Sequence, residues 1–311
     1  MKQFIKKIFL FSSSILVFLI SVIILFHYLH VFPINERNKN TEFEIAFEKG
    51  NFEMLLLGNS KIGAAINKEV LEKKMNMSAV LINYVAADLS VSKLTLESYL
   101  NICKVKPKIV FLEVSWFSFN TKRTTFYSIA GHLFLRDLTL FKHFFKYNQV
   151  SRLITKAIYE ILDFKFFTNN KNSLVKIKNN NFSENTKDYS FDRNKFMKNF
   201  PNQKAGVDSL LLDSYYSIIK MCKDENIKLI LFSAPEDEEY VQAQLDKDKI
   251  KNIFKSSTDL YKNLVYLDYT PYGEFWEKKY EFWLKDSHHI FQDSLFTEEF
   301  TDDILLKTIE P

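Results

Sequence analysis

The sequence predicts an α/β protein: a three-layer, flavodoxin-like domain with a parallel five-stranded sheet, preceded by one N-terminal transmembrane helix. Three observations carry that prediction. Five short apolar runs, each rich in branched or aromatic residues, are spaced along the chain. Helical candidates lie between most of them, and strand–helix–strand alternation argues for parallel strands covered on both faces. Residues 8–32, "IFLFSSSILVFLISVIILFHYLHVF", contain no Asp, Glu, Lys or Arg.

That last stretch comes first in the chain. It is long enough to cross a bilayer as a helix and longer than the apolar core of a cleaved signal peptide. No small-x-small cleavage site follows it, since "LHVFPINERN" is bulky. Three lysines in "MKQFIKK" precede it and favour a cytoplasmic N-terminus, which puts everything after about residue 40 on the extracytoplasmic side. His27 and His30 at the far end read as interfacial residues. The expected organisation is a signal anchor at 1–33, a charged linker at 34–50, and one domain at 51–311.

The strands expected in that domain are "FEMLLLG" (52–58), "AVLINY" (79–84), "PKIVFLEVSW" (107–116), "IKLILFSAP" (227–235) and "NLVYLDY" (263–269). Near-continuous apolar runs of this kind suit strands buried on both faces. The helices expected between them are "NKEVLEKKM", "SVSKLTLESYLNICK", "GVDSLLLDSYYSIIKMCKDEN" and roughly "EEYVQAQLDKDKIKNIFKSS". Five strands in this pattern suit the order 2-1-3-4-5. Between about 118 and 205 the alternation stops. An aromatic, helix-prone stretch is followed there by the polar, basic "TNNKNSLVKIKNNNFSENTKDYS". This insertion reads as a lid over a site, a membrane-facing or partner-facing surface, or plain elaboration.

Composition narrows the function. With 47% hydrophobic and 26% charged residues in 311, the chain is neither disordered nor fibrous. A net charge of +4 is too small to hold nucleic acid at physiological salt unless it is gathered in one patch. No zinc-finger spacing is present, and no cofactor motif is read. Cys103 and Cys222 form no Cys-x-x-Cys pair. They read as two buried free thiols, with a disulfide as the alternative in an exported domain.

The chemistry concentrates at two places. In a doubly wound sheet, ligands bind beyond the carboxyl ends of the strands, where the strand order reverses. The loop leaving the first strand is "GNSKIG", which puts Ser60 at that point and its backbone N–H at a helix start, suited to a developing anion. A serine needs a base, itself oriented by a third group. "LKDSHHIFQDSLFTEEF" (284–300) offers Asp286 and His289, three apart, so that both can face one way on a turn. His288 beside them reads as a bystander or substrate contact. The Gly-x-Ser-x-Gly elbow of α/β-hydrolases is excluded, because Ile62 stands where its second glycine belongs and the glycine comes at Gly63. The acids of "PEDEEY" (235–240) read as helix-dipole partners rather than a metal cluster. His132 and His143 lack ligand partners at metal spacing. Trp116, Trp276 and Trp283 read either as sugar-stacking faces or as core.

With "LLLGNS" and "INKEVL" near one end and "DSHHIFQDSLFTEEF" near the other, the chain resembles the SGNH (GDSL-like) hydrolase superfamily. More narrowly, it is similar to the membrane-anchored, cell-envelope branch that holds polysaccharide O-acetyltransferases and esterases. The resemblance covers 52–116 and 227–305. It implies Ser60 as nucleophile, His289 as base and Asp286 as orienting acid. It also implies an oxyanion hole built from the Ser60 N–H, a second-block N–H at Ala87 and a third-block donor, for which Asn120, Ser115 and Ser118 are the nearest residues. Three departures stand out: Asn59 where the family name implies Asp, no glycine in the second block, and no Gly-x-Asn-Asp in the third. The function expected is a membrane-anchored serine esterase or acyltransferase that uses no metal or cofactor and acts on acyl, chiefly acetyl, groups of an envelope glycan. The competing expectation is an inactive scaffold of the same fold that binds a polysaccharide or a multi-pass membrane acyltransferase.

Overall fold

Apolar residues fill the strands without a break, and this decides the layering. In the computed structural model, β1 (Met54–Gly58), β2 (Ala79–Asn83), β3 (Ile109–Glu113), β4 (Lys228–Ser233) and β5 (Leu264–Asp268) form one sheet in the order β2-β1-β3-β4-β5. Every neighbouring pair is parallel. Residues 50–83, 87–120, 206–285 and 289–309 are described, with six separate positions among the first 21. Apart from those six, they belong to one unit made of 40–126 and 155–311; residues 1–39 and 127–154 make up the other. The predicted anchor, the linker up to residue 49 and the insertion from 121 to 205 therefore lie outside the described residues. No helix among the described residues is long and apolar enough to cross a membrane.

Successive strand residues point to opposite faces of the sheet, and here both faces are dry. Leu56, Phe111, Ile230 and Phe232 join a core with Ile62, Leu71, Tyr269, Phe296 and Phe300. Their neighbours Leu55, Val110, Leu229 and Leu231 are buried on the other side. The first face is covered by α1 (Ser60–Ala65), α2 (Lys68–Met75) and α7 (Asp293–Ile309); the second carries α3 (Leu89–Ile102) packed beside α4 (Ser209–Asp224). Two short helices, α5 (Glu238–Gln242) and α6 (Lys247–Ser257), connect β4 to β5.

Asn or Asp begins most of these helices for one reason: a short side-chain oxygen takes up backbone N–H groups that have no partner inside the helix. Asn59, Asn67, Asp88, Asp208 and Asp237 all do so. The single helix expected over 238–257 is two. Ala243 caps α5, and the Gln244 side chain turns back to donate to the Tyr240 carbonyl at 2.8 Å, which breaks the run. The expected strand 107–116 is shorter than its apolar run. Beyond Glu113 the chain turns, with Ser118 N–H donating to the Ser115 carbonyl at 2.9 Å. Phe119 still belongs to the core, against Tyr215 and Phe254. Its carbonyl accepts from Asp208 N–H at 3.1 Å, joining the two ends of the insertion.

Candidate active site

The strand order reverses at β1, which has β2 on one side and β3 on the other. Gly58 ends β1 close against β3: a Cβ there would stand 2.9 Å from the Cβ of Glu113. The chain turns at once into α1. Asn59 caps that helix, its Oδ1 accepting from Lys61 N–H at 2.8 Å. Asn59 and Lys61 both turn inward and are almost fully buried, and Ser60 between them stays half-exposed at the first helical position.

His289 arrives from the other end of the chain. An antiparallel bridge between Leu284 and Ile290 fixes its backbone, with Lys285 N–H donating to the His289 carbonyl at 2.7 Å and Phe291 N–H to that of Trp283 at 2.8 Å. The following helix, α7, is pinned to the segment after α1. Thr297 Oγ1 accepts from Asn67 N–H at 2.8 Å, and Asn67 Nδ2 donates to Ser294 Oγ at 3.1 Å. The outcome is that His289 Nε2 lies 3.1 Å from Ser60 Oγ, across 229 residues of sequence. That is the reach required of a general base.

Asp286 and His288 lie outside the described residues. His289 precedes α7, which starts at Asp293. Ala87 is buried just ahead of the Asp88 cap of α3 and follows β2; Asn120 is half-buried and follows β3. Both thus stand beyond strands that flank β1. The Asn120 N–H is committed to the Phe117 carbonyl at 2.9 Å. Ser118 Oγ accepts from Ser115 N–H at 2.8 Å, so that hydroxyl closes the turn.

Two features beside the site were missed by sequence reasoning. Asn83 ends β2 opposite Gly58 and lays its amide on α1: a Cβ at Gly63 would stand 2.3 Å from Asn83 Nδ2. The late glycine therefore makes room for a neighbouring side chain. The second is a buried polar cluster behind Ser60. Lys61 Nζ pairs with Glu236, both about 1% exposed, and lies 4.7 Å from the centre of the Phe117 ring. Asn59 Nδ2 donates to Glu113 Oε2 at 2.8 Å. Of the "PEDEEY" acids, Asp237 caps α5 and Glu238 and Glu239 occupy its first turn, as the dipole reading expects. Glu236 departs from it, because it leaves the end of β4 pointing inward. The detectable signal was a charge inside an apolar run, Glu113 in "FLEVSW".

Burial pushes the Glu113 carboxyl up to about 7; Lys61 pulls against that shift, Glu236 adds to it, and the Asn59 hydrogen bond opposes it. Between pH 4.5 and 7 the folded protein therefore keeps a proton that the unfolded chain gives up, so stability falls as pH rises through that window. One pKa unit is about 1.4 kcal/mol, which makes the whole fall on the order of 3 kcal/mol. Urea denaturation of Glu113→Gln is expected to lack this fall, so the variant gains on wild type from pH 4.5 to 7.5.

Of the remaining candidates, His132 and His143 lie outside the described residues, and the three tryptophans all touch aromatic neighbours. Trp116 is buried against Phe117 and Tyr240, and Trp276 and Trp283 pack on Tyr280. Both cysteines are free thiols: Cys222 is buried and pushed up to about 12 by burial, whereas Cys103 is only half-buried. Among the described residues, no group of three or more His, Cys, Asp or Glu is placed to hold a metal ion.

No protein-family model matches the sequence, and no curated protein matches it. Solved structures show a distant likeness to it. A candidate acylhydrolase from Bacteroides fragilis is 9% identical, with a TM-score of 0.44 over 87% of this chain and 97% of that one. A GDSL-like lipase from Bacteroides thetaiotaomicron is 10% identical, with a TM-score of 0.43 over 88% and 98%. An active-site mutant of a family two carbohydrate esterase from Clostridium thermocellum is 10% identical, with a TM-score of 0.38 over 84% and 65%. All three scores lie below 0.5, and the functional reading rests on the chain's own geometry.

Proposed function

We propose that this protein is a membrane-anchored serine esterase or acyltransferase whose domain works outside the cytoplasm on acyl, chiefly acetyl, groups of a cell-envelope glycan. The observation that carries the chemistry is the 3.1 Å contact between Ser60 Oγ and His289 Nε2 at the carboxyl end of β1. The N-terminal apolar stretch and its preceding lysines support the location.

In this reading His289 Nε2 takes the proton as Ser60 Oγ attacks the ester carbonyl. The Ser60 N–H, at the open end of α1, and the donors following β2 and β3 receive the oxyanion. His289 then returns the proton to the departing alkoxide. The acyl-serine is resolved by water in an esterase or by a sugar hydroxyl in a transferase, with His289 again the base. Asp286 is the residue expected to hold the imidazole.

A fluorophosphonate probe tests the nucleophile. Wild-type protein is expected to be labelled and Ser60→Ala to be blank. An unlabelled wild type, or equal label on both, removes the catalytic reading and leaves the binding scaffold.

A further inference from the structure

Asn59 makes two contacts of opposite polarity. Lys61 N–H can only donate, so Oδ1 must face it, at 2.8 Å. Nδ2 is therefore the atom that faces Glu113 Oε2, also at 2.8 Å. Asparagine carries both an acceptor and a donor; aspartate would cap α1 equally well but has no hydrogen to give. Glu113 has no other hydrogen-bond partner among the described residues, its Oε1 being buried and unpaired. Lys61 approaches from α1 and Glu236 from the end of β4, and these are the charges that act on Glu113.

We infer that Glu113, acting through Asn59, is the positioning residue of the Ser60 turn, and that it is what requires asparagine rather than aspartate at position 59. The inference rests on the serine-esterase reading for its catalytic consequence, and on the two hydrogen bonds alone for its geometry. Asn59 is adjacent to Ser60 and both caps its helix and ties it to the end of β3. A shift of that tie moves Ser60 Oγ relative to His289, which is held independently by the Leu284–Ile290 bridge. Gly58 keeps the same two strand ends close, since a side chain there would push β1 away from Glu113. Aspartate at 59 would set a carboxylate against the Glu113 carboxylate, and two such groups in contact cannot both ionise freely.

The test is a polarity swap in the full-length chain. Asn59→Asp is expected to slow fluorophosphonate labelling by at least about tenfold at pH 8, with a smaller deficit at pH 6, where one proton can be shared between the carboxyls. Asn59→Asp/Glu113→Gln restores a donor–acceptor pair with its direction reversed, and is expected to recover the rate and lose the pH dependence. A single variant that matches wild type at both pH values overturns the inference. A double variant no faster than the single one overturns it too, since the loss was then general damage. Crystal structures of the three proteins give a readout independent of activity: the Ser60–His289 contact opens beyond about 3.5 Å in the single variant and closes in the double. If wild type is never labelled, the esterase reading fails, and this distance series alone decides the positioning role; three equal distances overturn it.

Discussion

Replacing His289 by alanine is expected to slow acylation of Ser60 by about 10²–10⁴-fold, the range associated with a positioned general base. The expectation follows from how the contact is made. Ser60 Oγ and His289 Nε2 are 3.1 Å apart, yet neither depends on the other for its place. Ser60 is held by the Asn59 cap and the end of β1, and His289 by a backbone bridge. Removing a half-buried imidazole therefore leaves the scaffold intact, and the loss should appear in the chemical step. Single-turnover labelling and thermal melting together check it. An unchanged melting temperature with a slowed rate is the expected pair. A rate within a factor of two of wild type would exclude His289 as the base.

The parts of the fold that were readable share a physical cause. A strand buried on both faces must be apolar at every position, and "MLLLG", "AVLIN", "IVFLE" and "KLILFS" are nearly that, so the strands and their order could be anticipated. The helix starts were readable because Asn and Asp serve orphan N–H groups that few other residues can reach. Ser60 and His289 could be paired on paper because strand order placed one at the switch point and the other belonged to the last block of the chain. What stayed hidden was the cluster behind Ser60. Lys61 and Glu236 are 175 residues apart, and charged residues are by default surface residues, so neither announces burial. Glu236 reads with the acids that follow it, because its inward turn depends on where β4 ends, which the run "LFSAPEDEEY" does not mark. The break in the helix over 238–257 was hidden likewise, since it depends on a glutamine side chain folding back onto a carbonyl.

That hidden cluster carries the largest expected effect on stability. Lys61→Met keeps most of the stem volume and removes the ammonium, leaving Glu236 and Glu113 buried without their cation. Breaking a buried pair from one side costs about 3–5 kcal/mol, far more than the pair contributes over an apolar replacement. Lys61 also pulls against the upward shift at Glu113, so in the variant that carboxyl should rise above about 7 and extend the acid-side window. The deficit should therefore be smaller at pH 5 than at pH 8, because protonation relieves the unpaired charge. Lys61→Met/Glu236→Met is expected to recover most of the loss, since two apolar side chains then meet where a buried ion pair stood. Urea denaturation at pH 5 and pH 8 on wild type, single and double variants reads all of this. A single variant within 1 kcal/mol of wild type would show that water reaches Lys61. A double variant no better than the single would mean that the stem and ring contacts over Phe117, rather than the charge, hold α1 in place.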